Sequence, residues 1–212
     1  MKITVIGANG KIGRLLLPRL IEAGYEVRGM VRDQAQLDGV AATGAQPVMG
    51  DLDDVFEPVL EGTDGVVFSA GSGGHTGPDR TMIIDLWGAI KVIRAAERLG
   101  AKRFVMVGSR RSRDPDAAPV GIRHYMVAKL IADEYLERSA LDFTIVRPGA
   151  LTDEPGTGRV SAAETLNVEQ TSVARADVAA TIVACLQDPT TIGKQFDLLA
   201  GDTPIAEAVA KV

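Results

Sequence analysis

The chain of 212 residues is poor in the side chains that build several common kinds of site. It has one cysteine, two histidines and an aromatic content of 4%. A single thiol, Cys185, excludes an intramolecular disulfide. One cysteine and two histidines do not make a zinc site. Cys185 shares a helical apolar face with Val178 and Ile182 and reads as buried filler. No apolar run approaches the ~20 residues that cross a bilayer as a helix. Net charge is −5 and there is no basic block, which argues against nucleic acid as a partner. The basic run Arg110-Arg111-Ser112-Arg113 is short and runs into Asp114 and Asp116, so it reads as a solvated or substrate-side loop. Met1 leads straight into an apolar strand with no signal-peptide pattern, and the expectation is a cytoplasmic protein. The few aromatics give little support to a stacking platform for a flat ligand. Trp87 and Tyr135 fall on helical faces and read as packing residues.

What is present is a regular alternation. A hydrophobic fraction of 46% and a mean hydropathy of +0.10 are those of an ordinary globule with ample core. Strand patterns fall at 2–7, 26–31, 46–49, 65–69, 103–108, 142–147 and 195–199. Helical patterns fall between them at 11–23, 52–61, 79–99, 123–139 and 174–187, with a short one at 204–210. The strands are mostly apolar without alternation, as in Phe104-Val105-Met106-Val107, which indicates burial on both faces. The expected fold is one α/β domain over residues 1–212, a doubly wound parallel sheet with helices on both faces. Three longer irregular segments, 70–78, 109–120 and 148–160, all follow strands. In an open parallel sheet such loops form the ligand crevice.

The first thirteen residues carry the clearest chemistry. Lys2-Ile3-Thr4-Val5-Ile6 is a β-branched run that stops at Gly7-Ala8-Asn9-Gly10-Lys11-Ile12-Gly13 and passes into Leu15-Leu16-Leu17 and Leu20-Ile21. Gly7 permits a tight turn, Gly10 permits close backbone approach to a ligand, and Gly13 permits the helix to pack on the sheet. The free N–H groups of the new helix then point at an anion, here a diphosphate. Glu26–Val31 supplies the second strand, so the motif sits in a βαβ unit. The spacing is G-x-x-G-x-x-G rather than G-x-G-x-x-G.

At the second strand's tip stands Arg32, where an NAD enzyme commonly has an acid. A guanidinium there suits a 2′-phosphate, so NADP(H) is expected over NAD(H). Asp33 reads as an N-cap, and Arg28 as a solvent-side strand residue. Asp51-Leu52 falls where adenine is contacted, and an N-cap role for Asp51 is equally open. Ser69-Ala70-Gly71 ends the fourth strand with small residues that let a ribose pass. Arg147-Pro148-Gly149 ends the sixth strand, with a rigid exit and a glycine for close approach. Tyr125-Met126-Val127-Ala128-Lys129 places a phenol and an ammonium on one helix face. The lysine charge is expected to lower the phenol's pKa and tune it for proton transfer. Ser109, ending the fifth strand, could orient a carbonyl or simply cap a loop; Ser112 is a weaker candidate. His124 reads as surface or pocket lining, and His75 as solvated.

With these residues assembled, the chain resembles the atypical short-chain dehydrogenase/reductase superfamily, in its compact NAD(P)H-binding branch of NmrA-like and epimerase/dehydratase-like proteins. The three-residue first glycine step is common among short-chain dehydrogenases. The resemblance runs from Gly7–Gly13 to Arg175-Ala176-Asp177-Val178-Ala179, a segment that is structural in related proteins. It implies a Rossmann-like domain, Tyr125 as acid/base, Lys129 as ribose binder and pKa tuner, and Ser109 as carbonyl orienter. Gly108 departs from relatives that have a second hydroxyl residue there. Only about sixty residues follow Gly149, so the C-terminal substrate portion is minimal, at 150–172. The leading expectation is an NADP(H)-dependent oxidoreductase acting on a carbonyl of a small molecule. Alternatives are a flavin or biliverdin-type reductase, a sugar epimerase or dehydratase, and a non-catalytic NADP(H) sensor. The helices near 79–99 and 123–139 offer a dimer face, and either a monomer or a homodimer is expected.

Overall fold

The structure is a computed structural model that describes residues 1–74, 76–168 and 171–212. His75 lies outside the described residues. The first unit is β1 (Lys2–Ile6), α1 (Lys11–Glu22) and β2 (Glu26–Val31), followed by α2 (Leu37–Ala41) and β3 (Gln46–Met49). After β4 (Gly65–Phe68) the chain enters α3 (Pro78–Arg80), a π-helical stretch at Thr81–Gly88, and α4 (Ala89–Arg98). Then come β5 (Arg103–Val107), α5 (Val120–Glu137), β6 (Asp142–Pro148), β7 (Ala150–Thr152), β8 (Arg159–Ala163) and β9 (Ser172–Ala174). The chain closes with α6 (Arg175–Gln187), β10 (Lys194–Ala200), β11 (Thr203–Pro204) and α7 (Ile205–Val209).

The main sheet runs β11-β8-β10-β6-β5-β4-β1-β2-β3. Its seven strands from β10 to β3 pair in parallel, while β8 and β11 add an antiparallel edge. The order reverses between β1 and β4. That is the switch point where crossovers depart to opposite faces and leave a crevice at the strand ends. Two-residue alternation splits the strand side chains between two cores. Ile3, Val5, Val67 and Val105 pack with Leu16, Leu17 and Leu20 of α1 and with Val178 and Ile182 of α6. Ile6, Val66, Phe68, Phe104 and Met106 pack on the other face with Ile90, Ile93, Ala128 and Ala132. The fold is the expected Rossmann-like one.

Three expectations need correction. The stretch 52–61 contains only a 3-10 turn at Glu57–Leu60 rather than a helix. The segment after Gly149 is not irregular: β8 joins the main sheet, and β7 and β9 form a separate parallel pair. These strands are short, and β7 and β8 are only partly buried, so they lack the apolar runs that mark the central strands. Trp87 is not internal packing, whereas Tyr135 packs against the core on the α4 side as expected. Arg94 lies 5.3 Å from both ring centroids, and 43% of Trp87 is exposed. No helix among the described residues is long and apolar enough to cross a membrane.

Arg103, at the start of β5, is buried without an acid. Its guanidinium donates to the carbonyls of Asp142 and Cys185 and to the Thr144 and Thr191 hydroxyls, at 2.7–3.0 Å. It joins β5, β6 and α6 at the edge opposite the crevice. Cys185 is fully buried, and desolvation pushes its thiol up to about 12.

Candidate functional site

Two adjoining grooves lie along the C-terminal ends of the parallel strands and share Ser69, Ala70, Gly71 and Ser72. The first, of about 540 Å³, is lined by Gly7, Asn9, Gly10, Lys11, Arg32, Asp51 and Leu52. Its floor is shaped for close contact. Gly7 has φ +95°, and a Cβ there would fall 2.6 Å from the Ala70 nitrogen. Gly10 is the N-cap of α1, with no side chain capping the helix and no acid in its first turn. The orphan N–H groups and positive end of that helix therefore face the groove with no acid of the helix's own first turn to answer them. This is a cradle that fits a diphosphate. Gly13 does not line the groove; a Cβ there would overlap the Ala8 backbone, so it serves helix packing against the loop.

Arg32 is exposed and makes no hydrogen bond or ion pair with the described residues, leaving its five donors for a ligand. Asp33 caps the following turn by accepting from Ala35 N at 2.9 Å. Arg28 ties β2 to the Glu61 carbonyl at 2.6 Å. Asp51 lines the groove and accepts from Asp53 N at 2.9 Å, a local turn bond, and no helix follows there for it to cap.

The second groove, of about 500 Å³, is lined by Ile12, Ser109, His124, Tyr125, Lys129, Pro148 and Gly149 among others. Lys129 is buried and donates to the Val107 carbonyl at 2.6 Å, which engages one of its three N–H donors. Ser109 has only a 3.5 Å contact to Met126 Sδ, so its hydroxyl is available to a ligand. Ser112 is fully buried and donates to the Ser109 carbonyl at 2.7 Å, a structural role. The Tyr125 phenol departs from the expectation. Burial raises its pKa and Lys129 opposes this, while Asp85 and Asp133 raise it further. The net direction is up, so the phenol is protonated at neutral pH. Sequence spacing showed the lysine but not the desolvation, which is the larger cause.

Arg147 does not reach the groove. Its side chain is 2% exposed and lies beneath α5, where Nε donates to Asp133 Oδ2 at 3.1 Å. Asp133 is fully buried, one turn beyond Lys129 on the same helix. Burial holds the Asp133 carboxyl above its ordinary range, against the pull of Lys129 and Arg147. Gly108 makes room for this pair: a Cβ there would sit 3.1 Å from both Asp133 Oδ2 and Arg147 Cγ. The strand end contributes Pro148 and Gly149 to the groove, and a Cβ at Gly149 would overlap the Thr171 backbone.

Two charged groove residues escaped the sequence reading. Asp85, in the π-helical stretch, is 1% exposed, lines the second groove and accepts from Ser72 N at 2.9 Å. Its signal was a lone acid inside the apolar run Met82–Trp87. Arg175, read as structural, lines the first groove. The arginine loop also differs from expectation. Arg110 donates to the Leu166 carbonyl and pairs with Asp197 at 3.6 Å, and Arg113 donates to Thr165 at 3.1 Å. The loop is thereby stapled to the segment after β8.

A family model described as NAD(P)H-binding matches residues 7–189. The chain belongs to that family. It is 44% identical to a Bacillus subtilis protein named as an uncharacterised sugar epimerase, YhfK, with all of both chains covered. It is 30% identical to sanguinarine reductase of Eschscholzia californica over 98% of this chain and 92% of that one. A solved structure from Bacillus halodurans, assigned by name to the NAD-dependent epimerases/dehydratases, superposes with a TM-score of 0.97 at 47% identity, covering both chains fully. These place the chain among the oxidoreductase-like and epimerase-like proteins of the atypical short-chain dehydrogenase/reductase branch.

Proposed function

We propose that this protein is an NADP(H)-dependent oxidoreductase that reduces a carbonyl, or a similarly polarised double bond, of a small molecule. The observation that carries the reading is the convergence of Tyr125, Lys129 and Ser109 on a groove continuous with the glycine cradle. When bound, the nicotinamide supplies the hydride.

The residues of the chain would do the rest. The cradle of Gly7, Gly10 and the α1 N-terminus holds the diphosphate, and Arg32 selects the 2′-phosphate. Lys129, anchored on Val107, holds ribose hydroxyls. Ser109 orients the acceptor oxygen, and Tyr125 gives it a proton. A raised phenol pKa suits this direction, because the phenol enters the reaction protonated. Asp85 at the groove wall adds to that protonation. A relative named for the reduction of sanguinarine supports a reductive reading.

Epimerisation is the second reading, favoured by the names of the Bacillus subtilis and Bacillus halodurans proteins. It uses the same Tyr125 and Lys129. The two separate by stoichiometry: a reductase consumes NADPH with each turnover, and an epimerase does not.

The test is a titration with NADPH and NADH followed by nicotinamide fluorescence, then turnover with aldehydes, ketones, quinones, flavins and sugar nucleotides. Tyr125→Phe should lower carbonyl reduction by about 10²–10⁴-fold with NADPH affinity nearly unchanged. Undiminished turnover would remove Tyr125 from the chemistry and favour a flavin-type reductase. Arg32→Ala should weaken NADPH far more than NADH.

A further inference from the structure

We infer that Arg175 is a ligand of the cofactor diphosphate and that Asp153 holds its place as an internal anion until the nucleotide binds. This rests on the NADP(H) reading of the first groove. Asp153 accepts from Lys11 Nζ and from Arg175 NH1, each at 2.5 Å. Both cations line the groove whose floor is Gly7, Asn9 and Gly10. One closes the glycine-rich turn and the other opens α6, and Asp153, which does not itself line the groove, bridges them.

The bridge is built into the fold. β7 and β9 pair in parallel with Thr152 opposite Ala174, so the next residue on each strand is Asp153 and Arg175. The loop beyond Asp153 is pinned by the buried Asp177, which accepts from Thr157 N at 3.0 Å and Gly158 N at 2.9 Å. Asp153 is therefore presented at a fixed position.

Charge and exposure indicate which partner prevails. The Lys11 and Asp153 side chains are 67% and 60% exposed, and Arg175 is 20% exposed. An exposed pair such as Lys11–Asp153 is held weakly. One carboxylate faces two cations, whereas a diphosphate brings two negative charges and several acceptor oxygens to the same cations and to the uncapped α1 N-terminus. The nucleotide thus takes over Lys11 and Arg175, and Asp153, now facing like charge, is released. Because Asp153 lies in the short substrate-side segment, cofactor binding frees that segment from the glycine loop.

The experiment titrates the wild-type chain, Asp153→Asn, Arg175→Gln and the double variant with NADPH and with NADH. Asp153→Asn should tighten both nucleotides severalfold. Arg175→Gln should weaken both by about tenfold, the scale of one charge-assisted hydrogen bond, leaving the NADPH/NADH ratio unchanged. In the double variant the gain from Asp153→Asn should shrink, because one of the cations it frees is gone. Circular dichroism melts check that the variants fold, and Arg175→Lys should restore part of the affinity. Weaker binding in Asp153→Asn would overturn the inference, since Asp153 would then be closing over bound nucleotide. Unchanged binding in Arg175→Gln would overturn it too, making the arginine structural. Wild-type chain that binds neither nucleotide would overturn the cofactor reading itself.

Discussion

Replacing Arg147 by methionine should destabilise the protein in a pH-dependent manner. The guanidinium is 2% exposed and its partner Asp133 is fully buried. Removing one member of such a pair leaves an uncompensated buried charge, at a cost of about 3–5 kcal/mol. Lys129, also buried and attracting the Asp133 charge, places the expected cost at the lower end of that range. At roughly 2–4 °C per kcal/mol for a chain of this size, Tm should drop by about 10 °C.

The pH dependence follows from the direction of the Asp133 shift. Its folded pKa lies above its unfolded value, chiefly through burial. Its contribution to stability is fully present below about pH 4, the unfolded value, and is lost as pH rises through the folded pKa. Arg147→Met removes both a charge and a hydrogen bond that hold that pKa down, so the loss continues to higher pH. The difference between variant and wild type should therefore widen only above the wild-type folded pKa, by up to about 1.4 kcal/mol per pH unit. Urea denaturation of both proteins at pH 4.5 and pH 8, read by circular dichroism, measures this. Adding Asp133→Asn should recover much of the loss at pH 8, because no buried carboxylate is left without its arginine. An equal cost at both pH values, or no recovery in the double variant, would refute the reasoning.

Three other outcomes are expected. Gly7→Ala forces a φ of +95° on an L-residue with its Cβ 2.6 Å from Ala70 N; it should abolish nucleotide binding and cost at least about 1–2 kcal/mol in urea denaturation. Arg103→Met removes the donor that serves the Asp142 and Cys185 carbonyls and the Thr144 and Thr191 hydroxyls; a loss of about 3 kcal/mol in the same assay is expected. Cys185, with its thiol near 12 and no exposure, should react with Ellman's reagent only as fast as the chain unfolds; rapid labelling of native protein would contradict its burial.

The central fold was legible because its signals are local and redundant. Seven apolar strands, the glycine turn after Ile6 and the helical stretches between them need no knowledge of neighbours to be read. Among site residues, the same holds for Gly7, Gly10, Arg32 and the Tyr125–Lys129 pair, whose positions follow from their distance to a strand end or a helix turn. Arg147 shows the limit. It stands at a strand end like Ser69 and Ser109, but the face its side chain takes depends on strand alternation and on an acid at Asp133, on the preceding helix. Asp85 was hidden because nothing local tells a buried acid in an apolar helix from an exposed one. The strands β7, β8 and β9 were missed because they are short, with β7 and β8 partly exposed, and they form through their pairing partners.

The sequence by itself determined the alternation of strand and helix, the phosphate-binding turn and the chemical identity of the groups at the crevice. Those depend on periodicity and on glycine stereochemistry, which act within a few residues. Only the tertiary structure decided which way those groups are biased. Burial outweighs Lys129 at Tyr125 and leaves the phenol protonated. Asp133 draws Arg147 out of the groove. The β7–β9 pairing sets Asp153 against Arg175, where it bridges to Lys11. Each of these is an electrostatic balance set by distance and desolvation between residues remote in the chain, and those quantities exist only once the chain has folded.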